Sequence, residues 1–205
     1  MAPVDIPDGG LDLSSATEDV VREYAMDLIN EYVPSTTGDD KFAEIAKDYG
    51  GSGTTCGYLC HWLMWRMGCR DPKMVNRDEP SDGLHYVPGA NISRIFANPH
   101  FVHYKPGLGM TPDNGDIVFL SDGPPDTEHV YVSTGVDDTK DPPIWSGANA
   151  GQRDKTTGKQ CSIFIDRTFS HDSLLYSGGS KKIVGWVDIS QLPFTAMADL
   201  HEPGE

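Results

Sequence analysis

Gly50-Gly51-Ser52-Gly53-Thr54-Thr55-Cys56-Gly57-Tyr58-Leu59-Cys60-His61-Trp62-Leu63-Met64-Trp65-Arg66-Met67-Gly68 divides at its first cysteine. Before Cys56 the chain is polar and glycine-rich, the composition of a loop. From Cys56 onward it is apolar and free of proline. The spacing predicts a helix over 56–67, capped at its C-terminus by Gly68. Leu59, Cys60, Leu63 and Met67 form one stripe, and Tyr58, Trp62 and Trp65 cover much of the remainder. A helix that is apolar nearly all round packs on several sides, so this one is expected at the centre of the fold. Its first turn carries unpaired N–H groups and the positive end of the backbone dipole. A thiol there is biased towards thiolate, the nucleophilic form, and a rigid helix holds it in place.

Upstream of this segment, 1–14 read as an irregular lead-in. A helix is expected over 16–32, capped by Ser14 or Ser15, with Glu18 and Asp19 in its first turn and Val20, Val21, Tyr24, Leu28 and Tyr32 at helical spacing. Pro34 ends it. A short helix is expected over 40–47, with Phe42, Ile45 and Ala46 inward. Downstream, 70–114 are polar and rich in proline, glycine and asparagine, and predict a long excursion with one short helix near 92–97. Loops of this length often wall a cleft. The period then becomes two. Strands are expected over 116–120, 129–134, 143–146, 161–165 and 183–187, with Gly123-Pro124-Pro125 in the first hairpin loop. Helices first and strands after predict an α+β class with a roughly five-stranded antiparallel sheet. The 205 residues suit a single domain over 1–205.

The formal net charge of -15 argues against nucleic acid as a partner, because phosphate recognition needs lysine and arginine clusters. No apolar stretch is long enough to span a membrane, and the acidic, proline-broken start lacks the basic and apolar regions of a secretory signal. A cytoplasmic location in the producing cell, or export by a route that reads no such signal, is therefore expected. Four cysteines in 205 residues make no disulfide framework, and no cofactor is expected.

A thiol nucleophile needs a base within hydrogen-bond reach, and the base needs an orienting partner. Of seven histidines, His129 has the best position, at the start of the strand following 116–120. Val130 and Val132 share one face of that strand, and His129, Tyr131 and Ser133 the other. A histidine on the sheet face packed against the central helix would meet Cys56 at the helix tip. Alternatives for the remaining groups are less specific. His100 and His103 form H-x-x-H in a loop, without the helical context of a zinc protease. Cys60, one turn below Cys56, is a regulatory thiol, a zinc ligand with Cys56 and Cys69, or core. Its C-x-x-x-C spacing favours core, as does the alternating strand around Cys161. No metal site is expected.

Tyr49-Gly50-Gly51 followed by Cys56 on a helix resembles the Y-x-G-G…D-C-S-G-L start of the NlpC/P60 cysteine peptidases. Asn114-Gly115-Asp116-Ile117-Val118-Phe119 followed by His129-Val130-Tyr131-Val132 resembles their G-D-[IL]-V-F-F…H-V-G-I-Y segment, shared with the CHAP amidases. The likeness covers about residues 45–150. The chain departs from it in having Thr55-Cys56-Gly57 for Asp-Cys-Ser, a short gap between Gly-Gly and Cys, and the long 70–114 excursion. The resemblance implies a papain-like fold, a Cys56–His129 pair and a third residue on the next strand. Asn149 is the choice there, with Ser146 and Gln152 as competitors. It also implies an oxyanion and substrate site near Tyr49, Thr55 and Ser146.

The activity so implied is cleavage of an amide in peptidoglycan stem peptides, through a thioester. A catalytic domain with no wall-binding repeat resembles the amidase effectors that bacteria inject into a rival's periplasm, for which a cognate immunity protein is the implied partner. It also resembles phage or intracellular recycling enzymes. Two other readings of the same residues are a cysteine deamidase or acyltransferase acting on a protein or lipid, and a binding module with an inert Cys56.

Overall fold

A computed structural model describes residues 11–39, 41–42, 55–69, 103–104, 110–121, 129–170, 175–176 and 182–196. The first helix, α1 (Glu18–Tyr32), begins two residues later than expected. Its N-cap is Thr17, whose side chain makes no capping bond. Ser14 instead binds Asp12, through both its N–H and its hydroxyl. The buried stripe is Val21, Tyr24, Ala25, Leu28, Ile29 and Tyr32, while Val20 faces solvent. The helix expected over 40–47 falls largely outside the described residues, as do the helix near 92–97 and the 123–125 turn.

The central helix, α2, spans Thr55–Arg66. Leu59, Cys60, Trp62, Leu63 and Met64 along it are fully buried, as its unbroken apolar composition requires. It stops at Gly68, which takes φ 89°. Gly68 N–H donates to Trp65 O and Cys69 N–H to Met64 O, both at 3.0 Å, the paired bonds of a Schellman motif. A side chain at Gly68 would make that left-handed turn costly.

Eight strands lie among the described residues: β1 (Ser35–Thr36), β2 (His103–Tyr104), β3 (Ile117–Ser121), β4 (His129–Asp137), β5 (Ile144–Arg153), β6 (Gln160–Ser170), β7 (Leu175–Tyr176) and β8 (Lys182–Val187). The five expected from period two are all present, four of them longer than expected. The other three have two residues each, too few to show a period. One of these, β2, lies inside the excursion read as almost without regular structure. All pairings between strands are antiparallel, in the order β1-β6-β5-β4-β3-β8-β2. Because β7 pairs with both β6 and β8, strands β3 to β8 close on themselves. The class is α+β, as expected, and the antiparallel sheet closes on itself with three short strands beyond the five expected.

The two faces of this sheet are distinct. Val118, Leu120, Tyr131, Trp145, Phe169, Ile183 and Trp186 fill the space inside the ring of strands. Ile117, Phe119, Val130, Val132, Ala148, Ala150 and Val187 face outward and form the main core with α1 and α2. The alternation along each strand is what separates them. On β8 the register passes from Phe119↔Gly185 to Leu120↔Ile183. That bulge skips one residue and returns Ile183 to the inner face beside Trp186.

Candidate functional site

Cys56 lies in the first turn of α2 and is 7% exposed. The helix packs on β4 and β5, and Cys56 shares its buried cluster with Val130, Val132, Ala148 and Ala150. Small residues at 148 and 150 allow the helix to approach the sheet closely.

His129 is the first residue of β4 and is half-buried. Its Nε2 lies 2.7 Å from Asn149 Oδ1. Asn149, 6% exposed on β5, is fixed in turn: its Nδ2 donates to Gly147 O at 3.0 Å. A carbonyl only accepts, so the amide nitrogen must face Gly147 and Oδ1 must face the ring. In the neutral imidazole the proton is then on Nε2, and Nδ1 keeps its lone pair and is the basic nitrogen. Of the three competitors for the orienting position, Asn149 is the one bonded to His129. Ser146 Oγ donates to Asp166 Oδ1 at 2.5 Å, and Gln152 pairs with Cys161 in the β5–β6 ladder.

One expectation about His129 is corrected. The sheet face packed against α2 is that of Val130 and Val132. His129 alternates with them and shares the side of Tyr131, with ring centroids 6.3 Å apart. The strand's period of two dictates this, because the residue before an outward valine points inward. Tyr49 lies outside the described residues; Thr55 opens α2.

Two features of this region were not singled out in the sequence. The first is Gly147, over which the Tyr131 ring lies; a Cβ there would sit 2.2 Å from Tyr131 Cε2. The second is an ionic clamp built on Asp116. Arg22 Nη1 bonds Asp116 Oδ1 and Asn114 O, each at 2.8 Å, while its Nη2 bonds Asp188 Oδ1 and its Nε bonds Glu18 Oε1, each at 2.9 Å. Asp116 also accepts from Asp113 N at 2.9 Å and Ile189 N at 3.2 Å. Burial pushes its carboxyl up to about 6, against the opposing pull of Arg22 and the backbone donors. Burial also works to lower the pKa of Arg22, but Asp116, Glu18 and Asp188 together hold it above its ordinary value. The aspartate of the Gly-Asp-Ile-Val-Phe segment therefore ties α1 to the start of β3 and the end of β8. Only the i,i+4 pair of Glu18 with Arg22 is visible locally; the other partners are 94 and 166 positions away.

Burial, and secondarily the neighbouring Cys56, push the Cys60 thiol well up. Cys60, Cys69 and Cys161 are buried and form no disulfide. Cys69 bridges to Phe194 through the backbone. Among the described residues, no group of three His, Cys, Asp or Glu could hold a metal ion, and no helix is long and apolar enough to cross a membrane.

Compared with known protein families, with curated proteins and with solved structures, the chain gives no match.

Proposed function

We propose that the protein is a papain-like cysteine hydrolase of the NlpC/P60 and CHAP kind, cleaving an amide in peptidoglycan stem peptides. The observation that carries this is the His129–Asn149 bond, with Asn149 locked by Gly147 O. A strand-initial histidine held in one tautomer by a buried amide is the arrangement a general base needs. The nucleophile is Cys56, at the tip of the helix that packs on the same two strands.

In the reaction, the proton on Cys56 Sγ passes to His129 Nδ1. The thiolate attacks the amide carbonyl, forming an S–C bond and an oxyanion. Backbone N–H groups of the first turn of α2 stabilise that oxyanion. The imidazolium returns its proton to the departing nitrogen as the C–N bond breaks, leaving a thioester. Water, deprotonated by the same imidazole, attacks the thioester, releasing a carboxylate and restoring the thiol. Asn149 keeps Nε2–H in place throughout and stabilises the cation. This route requires Cys56 Sγ to come within hydrogen-bond reach of His129 Nδ1.

Acting as an injected effector, the enzyme would have a cognate immunity protein as its partner in the producing cell. The test is digestion of purified peptidoglycan by the wild type and by Cys56→Ala, with products identified by mass. Loss of digestion in the variant supports the proposal; digestion by the variant at the wild-type rate overturns it. Ammonia release from glutamine without fragments would reassign the same pair to deamidation. Bridging by 1,3-dichloroacetone, which joins a thiol to an imidazole, checks the geometry. A mapped Cys56–His129 link is expected.

A further inference from the structure

The Tyr131 ring occupies the space directly over Gly147, where a Cβ would lie 2.2 Å from Cε2 and 2.3 Å from Cδ2. The backbone there has no room for any side chain while that ring is present. Gly147 is also the residue whose carbonyl holds the Asn149 amide. Tyr131 in turn has little freedom. Its ring packs on Trp145 at 4.6 Å between centroids, and Trp145 on Phe169 at 5.8 Å. The Trp145 indole is pinned by donation to Ser133 Oγ at 3.1 Å. On its other side, Tyr131 has the His129 ring at 6.3 Å, tilted by 31°. A row of aromatic rings thus runs from the inner core of the closed sheet up to the imidazole.

We propose that Tyr131 is a positioning residue for the His129–Asn149 pair: it braces Gly147, whose carbonyl fixes the amide orientation that presents Oδ1 to the imidazole. This rests on the reading of His129 as the base, since only then does the tautomer matter for turnover. The physical argument is that Asn149 can rotate by half a turn at small steric cost, exchanging its oxygen and nitrogen. The Gly147 carbonyl opposes that rotation only while it stays within hydrogen-bond reach. The ring packed over Gly147 keeps it there. Without the ring, β5 can relax into the vacated space, the carbonyl withdraws, and Asn149 offers either end to His129.

The prediction is read from the imidazole itself, by long-range proton–nitrogen spectra at a pH where His129 is neutral, its signal assigned by loss in His129→Gln. Wild type and Tyr131→Phe should favour the Nε2–H tautomer about tenfold, the ratio one oriented hydrogen bond supports. In Tyr131→Leu the preference should fall to about twofold or less. Gly147→Ala, which drives the ring away while retaining the tyrosine, should do the same and provides a second variant where the leucine protein does not fold. A full preference retained in Tyr131→Leu or in Gly147→Ala, or none in the wild type, overturns the proposal. Kinetics separate it from the hydrolase reading: Tyr131→Leu should lower kcat about tenfold with KM within about twofold. A rise in KM at unchanged kcat would overturn the positioning role. A wild type that digests no peptidoglycan, but shows the tautomer result, would refute the hydrolase and leave the bracing intact.

Discussion

Replacing Arg22 with methionine tests the clamp that joins α1 to the closed sheet. The Arg22 side chain is 13% exposed, and its guanidinium binds the carboxylates of Asp116, 3% exposed, and Asp188, 9% exposed. Its third carboxylate, Glu18, is 58% exposed and adds little. Methionine keeps much of the packing but leaves two buried carboxylates without their cation. Breaking such a pair from one side costs about 3–5 kcal/mol. Arg22→Met should therefore lose about 4 kcal/mol at neutral pH, or about 8–16 °C in Tm for a chain of this size. Part of that loss depends on pH. Asp116, already pushed up to about 6 by burial, can escape by taking a proton, which at pH 7 costs about 1.4 kcal/mol relative to the folded wild type. At pH 5 the wild-type carboxyl is itself largely protonated, so the loss should be smaller there by about 1.4 kcal/mol. Urea unfolding at the two pH values measures it. A loss below about 1 kcal/mol at neutral pH, or one equal at both pH values, would refute the reasoning.

In the wild type, the folded pKa of Asp116, about 6, lies above its unfolded value. The folded state thus binds the proton more tightly, and stability rises as pH falls from about 6 to about 4. Asp116→Asn should remove that gain, at most about 3 kcal/mol, which is seen by comparing the two unfolding curves across this window. Gly115→Ala should cost about 1–3 kcal/mol by urea unfolding, because Gly115 has φ 85° and its added Cβ would lie 3.0 Å from Ile189 Cγ2 and 3.1 Å from Ala25 Cβ. Asn149→Ala should lower kcat about tenfold to a hundredfold with little change in KM, as expected for a group that orients the base. Cys60→Ala should leave iodoacetamide labelling near pH 6 unchanged, because burial holds the Cys60 thiol up and out of reach.

The central helix was legible because its composition permits nothing else: an unbroken apolar run ending in glycine has one packing solution. The five longer strands showed themselves by alternation, and the sequence pointed to His129 and Asn149, which lie in contact. The choice among Asn149, Ser146 and Gln152 was open in the sequence, since all three lie on one strand; the diagonal contact between β4 and β5 is what puts Asn149 against His129. What the sequence concealed was carried by short or distant pieces. Two residues of β7 have no period, yet they close the sheet. Nothing local links Arg22 to Asp188, and nothing about Gly147 distinguishes it from a turn glycine until the Tyr131 ring is seen above it. The inward direction of His129 follows from the alternation already visible in Val130 and Val132. What could not be read was which of the two faces the helix covers.

The closure through β7 has a consequence for how this protein breathes. Strands β5 and β6 are joined by a long ladder, whereas β7 meets β6 at Phe169↔Tyr176 and Ser170↔Leu175 and β8 at Leu175↔Lys182. A ring of strands parts first along its shortest ladder, and among the described residues that is the one beside β7, so the expected low-energy opening is a slit there. The inner aromatic cluster would be wetted from there, by way of Phe169 and Ile183, while the β4–β5 pair that holds His129 and Asn149 stays zipped. In hydrogen exchange, amides of β6 that bond β7 should exchange well ahead of those that bond β5. Such a gradient would let the far wall of the barrel flex while the imidazole and its amide stay in register.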